Sequence, residues 1–155
     1  MIALLQRVIS ASVDVDGVTC GEIGTGIVVF LGVFDDDTSE DVNFLARKCP
    51  ELRIFADAEG IMNLSLRDVG GSILAVSQFT LCANARKGRR PSFSSAMAPS
   101  DAEKLYELFC TEIAESGIRV EKGVFGADMK VNIINDGPVT IILNSRETRR
   151  GNLKG

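Results

Sequence analysis

Apolar residues recur along this chain with two periods, two and about 3.6, and the switches between them mark its elements. Ile2 to Ser10 is rich in β-branched and aliphatic residues. Ser12 to Asp16 then alternates apolar with polar as far as Asp16-Gly17, a hairpin signal, before Val18-Thr19-Cys20. A β-ribbon is therefore predicted to open the domain. Gly26 to Phe34 is almost continuously apolar, centred on Ile27-Val28-Val29-Phe30-Leu31, which predicts a central strand covered on both faces. The period then lengthens. Val42, Leu45, Ala46 and Cys49 fall at i, i+3, i+4 and i+7 behind a capping-box pair, Thr38 and Asp41, so a helix is predicted that Pro50 stops.

Leu52 to Ala56 reads as a short strand turned by Asp57-Ala58-Glu59-Gly60, with Asn63 to Leu66 and Gly70-Gly71 as loop or edge pieces. Ser72 to Leu81 reads as the next strand. A second helix is expected from Ser100, with Glu103 completing its capping box, Ala102, Leu105, Tyr106, Phe109, Cys110 and Ile113 as its buried stripe, and Gly117 as its C-cap. Ile118 to Glu121 alternates as an edge strand. Two apolar runs close the pattern, Met129 to Ile134 and Val139 to Leu143. Strands outnumber helices and nothing repeats, so the chain is predicted to be one mixed α/β domain whose two amphipathic helices cover its sheets.

Four places break the pattern. Between the last two apolar runs lies Asn135-Asp136-Gly137-Pro138, where a proline that cannot donate to a ladder follows a glycine with no side chain, so the backbone must leave the sheet. It is either a plain bend or a built site that presents its carbonyls. Arg7 is embedded in the first apolar run and either faces solvent or is held by a partner. In the strand from Ser72, the apolar half gives way to Ser77-Gln78-Phe79-Thr80-Leu81, which is either a strand running out into water or a ligand-holding strand end. The loop after it packs Arg86, Lys87, Arg89 and Arg90 around Gly88 with no acidic residue nearby, as a solvated run or a phosphate grip.

Composition narrows the chemistry. With no histidine in 155 residues, a Ser-His-Asp triad, a Cys-His dyad and an imidazole proton shuttle are all excluded. The four cysteines form no C-x-x-C pair, so buried free thiols are expected rather than a zinc or redox site, and no metal or cofactor is expected. Net charge is −4, yet cations cluster in the 86–90 loop and again at Arg146, Arg149, Arg150 and Lys154, a distribution suited to a defined anionic ligand. No apolar run approaches the roughly 20 residues of a membrane span, and no cleavable leader follows Met1, so a cytoplasmic protein is expected.

The pair Ser77-Gln78-Phe79-Thr80-Leu81 and Asn135-Asp136-Gly137-Pro138-Val139-Thr140 resembles the two defining motifs of the D-aminoacyl-tRNA deacylases. Gln6-Arg7-Val8, Leu52-Arg53-Ile54-Phe55, Met62 to Leu66, Arg86 to Phe93 and Phe125 to Met129 look like family segments in family order, so the likeness covers nearly all of residues 1–144. Residues 145–155 remain as a basic tail, expected to be flexible. The resemblance implies a three-layer α/β domain of mixed, largely antiparallel sheets that forms a homodimer. It also implies an active site at the subunit interface that combines Ser77, Gln78, Phe79 and Thr80 of one subunit with a cis Gly137-Pro138 element of the other, steadied by Arg7.

What the resemblance further implies is a hydrolase for the ester between a D-amino acid and the 3′-terminal ribose of tRNA. Backbone N–H groups near Phe79 and Thr80 would stabilise the oxyanion, and the Gly137 and Pro138 carbonyls would leave no room for an L side chain, while glycine would pass. Arg86, Lys87, Arg89 and Arg90 would hold the tRNA. A Thr80 nucleophile is the alternative to attack assisted by the ribose 2′-OH, and it lacks an evident base. The related branch that edits L-alanine differs at the strand end. A non-catalytic tRNA- or DNA-binding dimer is the rival outside the enzymes.

Overall fold

In the computed structural model, which describes residues 1–147, the opening ribbon is β1 (Ile2–Val15) turned onto β2 (Val18–Ile23). Asp16 and Gly17 both take positive φ, 50° and 78°, as a two-residue hairpin demands. The apolar run forms β3 (Gly26–Gly32), antiparallel to β1. α1 (Ser39–Glu51) then crosses to the β4–β5 hairpin (Phe55–Ala56 and Met62–Leu64) and to β6 (Ser72–Ser77), which lies parallel to β3. After a 3-10 turn at Phe79–Cys82, α2 (Pro99–Glu115) makes the second crossover, to β7 (Val120–Lys122), parallel to β6. Last comes β8 (Lys130–Asn144), antiparallel to β1 along nearly all of its length. The main sheet runs β2-β1-β3-β6-β7, with β8 on the other side of β1.

Alternation along β3 divides the core in two. Ile27, Val29 and Leu31 join Val42, Leu45, Tyr106, Phe109 and Ile113 of the helices in one cluster. Val28 joins Val8, Val13, Ile23, Leu74 and Val76 in a second. The Tyr106 hydroxyl donates to the Ala75 carbonyl at 2.9 Å, tying α2 to β6, and burial pushes that phenol well above its ordinary pKa.

Several boundaries differ from expectation for local reasons. Thr38 caps α1 in a full capping box as predicted, but Pro50 lies inside the helix rather than ending it. In the last turn proline forfeits one backbone bond, and its ring is buried while its carbonyl accepts from the Leu66 N–H at 3.2 Å. α2 starts at Pro99 with Ala98 as its N-cap, so Ser100 and Glu103 form no capping box. Proline at the first helical position loses nothing by lacking an N–H, and its fixed φ sets the helix going before the serine. Gly117 takes φ 91° just past the helix end, the glycine role expected of it. The strand predicted over Leu52 to Ala56 shrinks to Phe55–Ala56, while Met62–Leu64 pairs with it as a strand.

Two of the residues counted with the basic tail are held against the domain. Ser145 is buried and hydrogen-bonded to Met1, and Arg146 sits 3.9 Å from the centre of the Phe34 ring while pairing with Asp36. Residues 148–155 lie outside the described residues. Among the described residues, no helix is long and apolar enough to cross a membrane.

Candidate active site

β8 leaves the ladder where its sequence says it must. Thr140 pairs with Gln6 and Asn135 with Val8, so Asp136 to Val139 bulge out opposite the single residue Arg7. The Gly137-Pro138 peptide is cis, and Asp136, Gly137 and Pro138 are exposed. Arg7 does not face solvent. Its Nη1 donates to the Ile54 carbonyl at 2.6 Å and its Nε to the Asp136 carbonyl at 3.0 Å, with the Asp136 carboxylate 3.4 Å away. The guanidinium thus clamps the bulge to the chain that follows α1.

At the other candidate position, β6 stops at Ser77, earlier than the predicted Leu81. The Gln78 N–H still reaches the Leu31 carbonyl at 2.8 Å, and the chain then tightens into the 3-10 turn that begins at Phe79. N–H groups in the first turn of a helix find no partner within it, and Phe79 and Thr80 occupy that turn, directly after the strand end. Gln78 Nε2 donates to the Thr80 hydroxyl oxygen, and Thr80 is exposed. A cavity of about 580 Å³ opens beside them, lined by Ser77, Gln78, Phe79, Tyr106, Phe125 and Met129 among others. Its wall is mainly apolar and aromatic, with the polar strand end at one side.

The two motifs do not meet within one chain. Pairing runs Thr140, Gln6, Val28, Leu74 across four strands, so the bulge stands three strand spacings, roughly 14 Å along the sheet, from β6. Neither Gly137 nor Pro138 lines the cavity.

Arg86, Lys87, Arg89 and Arg90 are all exposed, and among the described residues none of them is in an ion pair. Their loop is closed by paired backbone bonds between Asn84 and Ser92, 2.8 and 2.9 Å, and it turns at Gly88 with φ 70°. Phe93 anchors the loop on the site, its ring edge-on to Phe79 with centroids 5.1 Å apart. Phe93 belongs to a segment whose charges dominate its sequence. Its aromatic type was the available signal.

A second feature unread in the sequence is an apolar row across the open sheet face. Ile142 pairs with Leu4, Leu4 with Phe30 and Phe30 with Val76, so the four point the same way. Ile142 is 61% exposed, and Leu4 and Phe30 are only partly covered. Of the thiols, Cys49, Cys82 and Cys110 are buried, which pushes their pKa values up to about 12, 11 and 12. Cys20 departs from expectation by being exposed on β2. Among the described residues, no group of three His, Cys, Asp or Glu side chains is placed to hold a metal ion.

A family model described as D-Tyr-tRNA(Tyr) deacylase matches residues 4–144. A protein called D-aminoacyl-tRNA deacylase from Anaeromyxobacter dehalogenans (strain 2CP-C) is 55% identical over 146 residues, covering 94% of this chain and 98% of its own. One of the same name from Geobacter sulfurreducens (strain ATCC 51573 / DSM 12127 / PCA) is 56% identical over 146 residues, covering 94% of this chain and 96% of its own. Among solved structures, a c-Myc DNA Unwinding Element Binding Protein superposes with a TM-score of 0.88 at 42% identity, over 93% of this chain and 98% of that one. A probable eukaryotic D-amino acid tRNA deacylase shares the fold, with a TM-score of 0.79 at 21% identity over 92% and 97% of the two chains.

Proposed function

The chain belongs to the D-Tyr-tRNA(Tyr) deacylase family, and from that premise we propose how its geometry performs the reaction. It is a D-aminoacyl-tRNA deacylase, a hydrolase acting on aminoacyl-tRNA. An aminoacyl ester is already activated, so placing water against the carbonyl carbon and stabilising the oxyanion suffices without a strong base. The Phe79 and Thr80 N–H groups supply the oxyanion donors. Water adds to the carbonyl carbon, the bond to the ribose oxygen breaks, and that oxygen takes a proton, with the neighbouring 2′-OH of the substrate as the relay.

Thr80 is a poor nucleophile in this setting, because the partner of its hydroxyl is Gln78 Nε2, a donor that cannot take the proton attack would release. Thr80→Ala is expected to keep D-tyrosyl-tRNA hydrolysis within about threefold of the parent, whereas loss of one general-base step would cost about 10²-fold or more. Ester loss under single-turnover conditions distinguishes the two, and the larger fall in a folded variant would restore Thr80 as nucleophile.

The chirality filter comes from a second copy of the chain. The observation that carries this reading is the bulge itself: Gly137 and Pro138 are exposed, clamped by Arg7, and remote from their own strand end. A homodimer packed through the Ile142-Leu4-Phe30 row would cover that apolar face and carry the Gly137-Pro138 carbonyls to the partner's Ser77 to Thr80. There they accept from the substrate α-ammonium and fill the space an L side chain would need, while a D side chain or the hydrogen of glycine passes. The two core clusters on opposite faces of β3 support a three-layer domain, with helices, main sheet and the curled β1-β2-β8 end as its layers. Cytoplasm, where tRNA is charged, is the compartment.

The test is ester loss from D-tyrosyl-tRNA and L-tyrosyl-tRNA side by side. Rapid loss of the D ester alone supports the filter, and equal loss of both removes it. Binding without turnover would instead favour a nucleic-acid-binding module of the kind one structural relative's name describes. The exposed 86–90 loop grips the tRNA backbone. Replacing Arg86, Lys87, Arg89 and Arg90 by Ala is expected to weaken tRNA binding and flatten the slope of log K against log salt by about 0.7 to 0.9 for each phosphate left without its cation. An unchanged slope would place the tRNA elsewhere.

A further inference from the structure

Asp136 to Val139 must hold two carbonyls in fixed positions although they have left the β1–β8 ladder. Arg7 restrains the outgoing limb through the Asp136 carbonyl. The returning limb is held by a different device, built from one side-chain amide. Asn135 Oδ1 accepts from the Val139 N–H at 3.0 Å, closing the bulge across its neck. The Nδ2 of the same amide donates to Thr140 Oγ1 at 3.1 Å, and Gln6 Nε2 donates to that oxygen at 3.2 Å from the neighbouring strand.

The donor and acceptor ends of this amide cannot be exchanged. Only Oδ1 can receive the Val139 N–H, so Nδ2 is committed to Thr140, whose oxygen then has both lone pairs filled by Asn135 and Gln6. Asn135 sits at the last ladder position before the bulge and Thr140 at the first one after it, paired with Val8 and Gln6 respectively. One side chain therefore spans the whole excursion and fixes its width, while Gln6 fixes it to β1. Without the amide, the Val139 N–H loses its acceptor and the returning limb is free to swing about the Arg7 clamp.

We propose that Asn135, braced by Thr140 and Gln6, is a positioning residue that sets D-over-L selectivity by holding the Gly137-Pro138 carbonyls at the width the filter requires. The inference rests on the filter reading above. Asn135 touches no substrate, and its effect is on discrimination more than on the chemical step. Glycyl-tRNA, with no side chain to be excluded, reports only the hold on the ammonium.

The experiment compares D-tyrosyl-, L-tyrosyl- and glycyl-tRNA hydrolysis by Asn135→Ala, Asn135→Asp, Thr140→Val and Gly137→Ala, each with a thermal melt. Asn135→Ala is expected to lower the D-to-L ratio by about tenfold, the scale of one missing positioning hydrogen bond. It should slow the glycyl and D-tyrosyl reactions by the same small factor, since both substrates offer the same ammonium to the carbonyls. Asn135→Asp keeps an acceptor for the Val139 N–H and lets the Thr140 hydroxyl turn round to donate, so it retains the ratio. Thr140→Val gives an isosteric loss in the same direction, which decides the matter if Asn135→Ala fails to fold. A parental ratio in Asn135→Ala, or an equal loss in Asn135→Asp, overturns the brace. If Gly137→Ala also keeps the parental ratio, the filter itself falls; if Gly137→Ala loses it and Asn135→Ala does not, only the brace falls.

Discussion

Gly137→Ala is expected to lower D-tyrosyl-tRNA hydrolysis by about 10²-fold, the effect of misplacing a binding group by roughly 1 Å, while the protein stays folded. Gly137 takes φ 130°, a conformation that side chains rarely adopt. A Cβ there would lie 2.8 Å from Val139 Cγ2 and 3.0 Å from Arg7 Nη2, both inside normal contact. Relief requires the bulge to shift or the clamp to let go, and either moves the carbonyls. The strain costs on the order of 1–3 kcal/mol, so the melting temperature should fall by several degrees, but the position is exposed and outside both core clusters and the fold survives. The D-to-L ratio falls with the rate, since the displaced carbonyls neither hold the ammonium nor block the L side chain. A variant with parental kcat/KM on the D ester would show that the bulge does not touch the substrate.

Ile142→Asp should give the second large effect, a folded monomer with little activity. In the single chain Ile142 is 61% exposed, and a surface substitution of this kind typically changes stability by less than about 0.5 kcal/mol. Between two copies the same carboxylate would be pressed against the Leu4 and Phe30 row, where an unpaired charge costs several kcal/mol, on the order of a whole modest interface. Sedimentation reads the dimer and ester loss reads the activity. The two should fail together at low protein concentration, whereas an active monomer would separate the site from the interface.

What could be read in the residues was whatever backbone chemistry enforces locally. Asp16-Gly17 requires its hairpin, Thr38 and Asp41 their capping box, and Gly137-Pro138 an exit from the ladder, because each rests on a missing Cβ, a missing N–H or a side chain bonding its own backbone. Arg7 in an apolar run was legible as an anomaly, but not its partners, since the Ile54 and Asp136 carbonyls are distant in sequence. Boundaries failed where two local signals competed. Pro99 outranked Ser100 in starting α2, and the polar residues after Val76 were part strand end and part 3-10 turn. The Ile142-Leu4-Phe30 row was invisible, because it exists only once three strands pair in register. Asn135 and Thr140 stood inside the quoted motif, yet their brace needs the bulge between them to fold first.

A mixed dimer tests the central claim most directly. One copy carries Gly137→Ala, and the other Phe79→Pro, which removes an oxyanion N–H at the first position of a helical turn, where proline is well tolerated. If the site joins one subunit's strand end to the other's bulge, the mixed dimer contains one intact site, from the Phe79 end of the first copy and the Gly137 of the second. It should then recover about half the parental D-tyrosyl-tRNA hydrolysis and the parental D-to-L ratio, although both parent homodimers are impaired. Activity no greater than the mean of the two homodimers would contradict a filter contributed by the neighbouring subunit.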